Sequence, residues 1–215
     1  MTKPRVLLAD DHSLVLEGFK RILEDHCDVV GMVEDGRALL DAAARLKPAL
    51  VLLDISMPLL NGIDATRHLK SLLPDVKVII VTMHADADYL SEAFKAGASG
   101  FLLKRSAGSE LTQAIDSVLM GHYYVTPVLT THLVNSAIVN SATPETTRQP
   151  ALTPRQREVL QLVAEGKTIK EIAQLLNISP KTVEFHKGHI MNQLHLRTTA
   201  ELTKYAMTHG LTTAP

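Results

Sequence analysis

The sequence predicts a doubly wound α/β domain on a five-stranded parallel sheet, followed by a small all-α domain. Three observations carry this. Four short apolar runs, Val6–Ala9, Leu50–Leu53, Val78–Val81 and Phe101–Leu103, are spaced among helical patterns in the manner of buried parallel strands. The stretch 140–150 is poor in apolar residues and carries Pro144 and Pro150, the composition of a linker. Beyond it, Thr153–Gln156, Thr168–Glu171 and Thr198–Glu201 each match a capping box ahead of a helical run.

Taken in order, helical patterns near 13–26, 35–46, 62–72, 86–96 and 109–120 alternate with the strands, and Val29–Val33 supplies a fifth strand. An amphipathic stretch at 128–139 leads into the linker. The C-terminal helices are expected near 154–165, 169–176, 180–194 and 199–209. Ser179 and Pro180 form an N-cap and a proline at the first helical position. Gly166, Asn177 and Gly210 stand where a left-handed residue closes a helix. The second and third of these helices are joined by about three residues, the spacing of a helix-turn-helix. The expected division is 3–122, a helical extension and linker at 123–150, and 151–215.

A chain of 215 residues accommodates one core of about 120 residues and a smaller domain. Cys27 is the single cysteine, so no internal disulfide forms, which suits a reducing cytoplasm. No run approaches the roughly 18 apolar residues of a membrane span, and the N-terminus lacks a secretory pattern. The net charge of -1 hides an asymmetry. Residues 1–125 hold 13 Lys and Arg against 17 Asp and Glu, while residues 151–215 hold 8 against 5 and four histidines. The basic C-terminal part fits a nucleic-acid-facing domain.

The apolar runs end on chemistry. Asp10-Asp11, Asp54, Thr82 and Lys104 follow or close the four runs. In open α/β sheets ligands bind outside the carboxyl ends of the strands, so these groups would converge on one crevice. A carboxylate can accept a phosphoryl group as an aspartyl phosphate. Clustered Asp oxygens suit Mg²⁺, which offsets repulsion between a phosphodonor and the acidic groups. The Lys104 ammonium and the Thr82 hydroxyl would each meet a phosphoryl oxygen. Any one of these residues alone reads as a cap, a turn former or plain surface; the set of four points to a metal-plus-phosphate site.

The segments Ala9–His12, Leu53–Gly62, Val81–Met83 and Gly100–Lys104 resemble the receiver domain of two-component response regulators. The resemblance implies that Asp54 is the phospho-acceptor. It implies that Asp11 and Asp54 ligate Mg²⁺ with the main-chain carbonyl of Ser56, Asp10 acting through a metal-bound water. Thr82 and Phe101 match the family's switch pair, in which the hydroxyl moves to the phosphoryl group and the ring turns inward. Two departures stand out. Arg105 follows Lys104 where a proline is frequent, which excludes a cis-proline there. Met83 replaces a small residue and could narrow access to Asp54. Ser56 and His84 stand two residues beyond the acceptor and the switch threonine, positions that the resemblance implies lie over the approach of a hydrolysing water. His84 either shields the phosphorus or faces solvent.

Leu152–Leu160, Gly166–Ala173 and Ile178–His186 resemble the LuxR-type helix-turn-helix, so that the whole chain is similar to the NarL/FixJ class. In the recognition helix Val183, His186, Ile190 and Leu194 form one apolar stripe toward the bundle, which makes His186 structural rather than a base reader. Glu184, Phe185, Gly188 and His189 face outward. Lys181, Thr182 and Lys187 flank them and suit phosphate contacts. Glu184 could accept from a cytosine amino group or be a plain solvated charge, and Phe185 could pack on a thymine methyl.

The reading is a phosphorylation-activated transcriptional regulator that is no enzyme beyond its own aspartyl phosphorylation and dephosphorylation. Its expected partners are a sensor histidine kinase, double-stranded promoter DNA and, once phosphorylated, a second copy paired through residues 199–209, with no membrane involved. One alternative is an adaptor whose helical domain no longer binds DNA. Another is a dehalogenase-like phosphatase, which needs a second Asp where Ser56 stands.

Overall fold

The computed structural model describes residues 3–130 and 152–212. The strands are β1 (Arg5–Ala9), β2 (Asp28–Val33), β3 (Leu50–Leu53), β4 (Lys77–Thr82), β5 (Gly100–Leu103) and β6 (Tyr124–Val125). They form one parallel sheet in the order β2-β1-β3-β4-β5-β6. Helices α1 (Ser13–Leu23), α2 (Gly36–Leu46), α3 (Gly62–Leu72), α4 (Ala87–Lys95) and α5 (Ala107–Leu119) connect the strands.

Alternation along the strands divides the core. Leu7, Val51, Leu53, Val78, Ile80 and Phe101 face α2, α3 and α4, while Val6, Leu8, Leu52, Ile79, Val81 and Leu102 face α1 and α5. Both faces are covered, which is why the strands read as continuous apolar runs. Each fully buried aliphatic side chain of this kind contributes roughly 1.5–3 kcal/mol.

Three features differ from the sequence reading. The sheet has six strands rather than five, because Tyr124 and Val125 pair with Gly100 and Phe101 beyond residue 122. Two residues are too few to show a period. Helix α1 stops at Leu23 instead of near 26, and a 3₁₀ turn at Lys104–Ser106 starts the last crossover before α5. Of the expected amphipathic stretch, residues 128–130 are helical; 131–139 and the linker lie outside the described residues.

The C-terminal unit consists of α6 (Pro154–Ala164), α7 (Ile169–Leu175), α8 (Pro180–Gln193) and α9 (Thr199–Thr208). All three capping boxes form, and Ser179 caps α8. Gly166, Asn177 and Gly210 adopt positive φ of 77°, 52° and 60°, as the sequence requires. Val159, Leu160, Ile172, Val183, Ile190 and Leu202 make its core. No helix among the described residues is long and apolar enough to cross a membrane.

Candidate phosphoryl site and nucleic-acid interface

The site follows from where the strands stop. Asp10 and Asp54 are the first residues past β1 and β3, Thr82 is the last of β4, and Lys104 is the first past β5. These four strands are neighbours, so the groups gather at the carboxyl ends of the central strands. The Lys104 Nζ lies 2.7 Å from Asp10 Oδ2 and 2.9 Å from Asp54 Oδ2. Asp54 Oδ1 accepts from the Ile55 N–H at 2.7 Å, and Asp10 Oδ1 from the His12 N–H at 3.0 Å. Asp11 joins through His12, whose Nδ1 sits 2.7 Å from Asp11 Oδ1.

Burial pushes the Asp10 carboxyl pKa up against the opposing pull of Lys104, and the Asp54 charge adds to the rise. Burial also works against the Lys104 ammonium, but the carboxylates of Asp10 and Asp54 outweigh it and hold its pKa above the ordinary value.

The loop after Asp54 is shaped by close approach. A Cβ at Gly62 would overlap the Asp54 carbonyl, so only glycine fits there. Asn61 caps α3 by accepting from the Asp64 N–H at 3.0 Å. Thr82 and Phe101 are fully buried, and Thr82 Oγ1 accepts from the His84 N–H at 3.3 Å. The Ser56 Oγ and His84 Nε2 share a hydrogen bond of 2.9 Å, so the His84 ring turns toward the site rather than to solvent. Met83 is 69% exposed.

Three carboxylates and one ammonium leave the crevice with two negative charges. Ligand atoms of Asp10, Asp11 and His12 lie within 4.8 Å of one another. The two carboxylates of that group suit a hard divalent cation, whereas the His12 nitrogen, paired with Asp11, does not.

On the C-terminal unit, Lys181, Glu184, Phe185, Gly188 and His189 are exposed on α8, with Phe185 at 67%. Thr182 donates its main-chain N–H to Ser179 Oγ at 3.1 Å, and Lys187 Nζ donates to Thr199 Oγ1 at 3.0 Å. Val183 and Ile190 are buried as expected, but His186 and Leu194 are only half-buried. Val183 and Ile190, two helical turns apart, hold the centre of the stripe, which leaves 186 at its margin. His186 instead meets the Phe185 ring edge-on at 5.9 Å.

The structure adds a contact that the sequence reading missed. The polar face of α6 docks onto the α/β domain. Glu158, 3% exposed, pairs with Arg37 (3.0 Å), Arg155 (3.0 Å) and His68 (2.9 Å). Arg157 reaches the buried Asp64 at 3.0 Å, beside Arg67 at 2.6 Å. Gln161 accepts from the Asn61 N–H at 2.8 Å, and Glu165 accepts from the Leu59 N–H at 3.1 Å. Leu59, with φ 64°, packs against the C-terminal core. A cleft of about 540 Å³ lies between the domains, lined among others by Tyr89, Arg67, Arg157 and Tyr205.

A doubly wound sheet with this acidic edge, joined to a capped helix-turn-helix, defines a response regulator. Residues 6–116 match the family described as response regulator receiver domain, and residues 150–206 match the bacterial regulatory proteins of the luxR family. The chain belongs to the response regulators that combine these two domains, the NarL/FixJ class. It is 36% identical over 211 residues to the transcriptional regulatory protein MctR of Rhizobium johnstonii, covering 97% of this chain and 95% of that protein. It is 38% identical over 210 residues to the oxygen regulatory protein NreC of Staphylococcus epidermidis, covering 94% and 96%. A solved structure of the Salmonella typhimurium RcsB response regulator superposes with a TM-score of 0.66 at 30% identity, covering 97% of this chain and 98% of that one. An RcsB–DNA complex matches with a TM-score of 0.59 at 30% identity, covering 96% and 99%. The protein is thus a DNA-binding response regulator rather than a metabolic enzyme.

Proposed function

We propose that Asp54 accepts a phosphoryl group from a sensor histidine kinase and that this event controls promoter binding by the C-terminal domain. An Asp54 carboxylate oxygen attacks phosphorus, the O–P bond forms, and the P–N bond to the kinase histidine breaks. The electron pair leaves on the imidazole nitrogen, which then takes a proton. Lys104 neutralises the transferring oxygens, and the Thr82 hydroxyl moves to donate to one of them. That movement ends its present bond with the His84 N–H, and Phe101 packs behind it. Asp11, Asp54 and the Ser56 carbonyl would hold Mg²⁺, with Asp10 acting through a bound water. The ion supplies charge neutralisation on the transferred group. The bridging of Asp10 and Asp54 by Lys104 carries this reading, because it brings acceptor, acidic partner and counter-charge together.

On this reading residues 3–122 are the regulatory unit, 123–150 the connector and 151–215 the DNA-binding unit. Lys181, Thr182 and Lys187 position the protein on phosphates, while Glu184, Phe185 and Gly188 meet base edges in the major groove. The phosphorylated protein pairs through α9 on two half-sites. It works in the cytoplasm, where its kinase presents the phosphohistidine. The solved RcsB dimers on DNA support this mode of action. Intact-mass measurement after treatment with an acyl phosphate tests the acceptor. One phosphoryl group is expected on the wild type and none on Asp54→Asn; equal uptake by both would overturn the assignment.

A further inference from the structure

Inside the C-terminal domain, the cap of α6 settles how one outward group of the recognition helix presents itself. Gln156 is 6% exposed and holds the third position of α6. Its Oε1 accepts from the Thr153 N–H at 2.8 Å, which is half of the capping box. An amide oxygen accepts and an amide nitrogen only donates, so this bond fixes which way the amide points. The nitrogen is then turned toward α8, where it donates to Nδ1 of His189 at 3.2 Å and to Oε1 of Gln193 at 3.3 Å. Because Nδ1 accepts there, the single hydrogen of the neutral imidazole stands on Nε2. His189 itself is exposed one helical turn beyond Phe185, with the two rings 6.0 Å apart. With Nδ1 committed to α6, Nε2 is the ring nitrogen left to meet whatever α8 binds.

We infer that Gln156 is a positioning residue that holds His189 as a neutral Nε2–H donor, and that this donor meets a hydrogen-bond acceptor of the DNA, a phosphate oxygen or a purine N7. This rests on α8 lying in the major groove, where N7 is displayed. A lysine attracts every nearby phosphate through its charge and releases counterions. A neutral N–H rewards only an acceptor in line with it, so His189 adds a directional contact. The amide of Gln156 cannot turn over without losing its bond to Thr153, so the cap of α6 keeps the donor in place.

The test uses the full chain at about pH 9, above the ordinary imidazole range. Long-range proton–nitrogen spectra of the ¹⁵N-labelled protein read which ring nitrogen carries the hydrogen. The wild type should show it on Nε2 of His189. Gln156→Glu keeps an oxygen for the Thr153 N–H but offers His189 only an acceptor, so a hydrogen should appear on Nδ1. A wild-type hydrogen on Nδ1, or an unchanged ring in Gln156→Glu, overturns the inference. In titrations onto duplex DNA, His189→Ala should weaken binding about tenfold, the worth of one hydrogen bond to a charged group. It should leave the salt dependence unchanged. Weakening on every sequence marks a phosphate oxygen as the acceptor, and weakening confined to one base pair marks a purine N7. Unaltered affinity, or a salt slope flattened by about one unit as for a lost cation, overturns the inference. Gln156→Glu should weaken binding more in the wild-type background than in His189→Ala; an equal or smaller loss overturns the link between the two residues. Wild-type protein that binds no DNA while its ring carries the Nε2 hydrogen refutes the placement of α8 in the groove rather than the positioning of His189.

Discussion

Gln161 of the DNA-binding domain donates to the carbonyl of Met57, three residues past Asp54, across 2.9 Å. The C-terminal domain therefore holds main-chain atoms of the β3–α3 loop that follows Asp54. The interface around this bond is polar and charged, with Glu158, Gln161 and Asp64 all buried. Contacts of this composition characterise domain interfaces that open and close rather than permanent cores. A phosphorylation switch needs such an interface.

Removing the central charge should open it. Glu158→Ala leaves Arg37 and Arg155 without their shared buried counter-charge. The loss should weaken docking by about 3 kcal/mol, at the lower end for broken buried pairs because both guanidinium groups keep some water. Small-angle scattering should show an extended chain with both domains folded; an unchanged radius of gyration would show that the cluster does not hold the domains together.

Docking should also depend on pH through Glu158. Burial acts to raise its pKa, but the His68 hydrogen bond and the charges of Arg37 and Arg155 bring it below the ordinary carboxylate value. A carboxylate depressed in the docked state contributes stability above its ordinary pKa and loses it as pH falls through the docked value. Glu165, raised by burial, acts in the opposite sense. The wild type should therefore loosen on acidification more than Glu158→Gln does. Identical acid profiles for the two proteins would remove Glu158 from the account.

DNA affinity and sequence choice should separate on α8. Lys187→Ala should weaken all DNA alike and flatten the salt dependence by about one unit of log–log slope. Glu184→Ala should cost about 1–3 kcal/mol at the preferred base only. Equal weakening of random and target DNA by Glu184→Ala would mark it as a solvated charge.

The acidic site should bind Mg²⁺ through Asp11. Asp11→Asn removes one anionic ligand and should weaken binding by at least about tenfold, or 1.4 kcal/mol, as read by calorimetry. A variant that binds Mg²⁺ as tightly as the wild type would exclude Asp11 as a ligand.

Beryllofluoride, which stands in for the phosphoryl group on Asp54, should promote self-association. Driving a population from 1:99 to 99:1 takes about 5.5 kcal/mol of differential binding. Light scattering should show dimers with the mimic; a strictly monomeric protein, free and on DNA, would contradict pairing through α9.

Much of this was legible in the sequence. Strands buried on both faces leave continuous apolar runs, so the residues at their ends, Asp10, Asp54, Thr82 and Lys104, could be named in advance. Capping boxes and left-handed residues are local, and those at Thr153, Thr168, Thr198, Gly166 and Asn177 all form. The docking face was not legible for a physical reason. Arg157, Glu158, Gln161 and Glu165 recur at helical spacing as polar residues, and a polar stripe reads as a solvated face. Its burial depends on partners about 100 positions away, such as Asn61 and Asp64. Strand β6 escaped because two residues carry no period, and the outward tilt of His186 because it lies at the margin of its stripe.

The central claim is that phosphorylation of Asp54 governs DNA binding. It is tested most directly by titrating the wild type and Asp54→Asn onto DNA from upstream of the chain's own coding region. Each protein is titrated with and without an acyl phosphate donor, at one fixed salt concentration. The account predicts that the donor tightens binding by the wild type at least about tenfold, or 1.4 kcal/mol, and leaves Asp54→Asn unchanged. Equal tightening of both proteins, or none in the wild type despite complete phosphorylation, would contradict it.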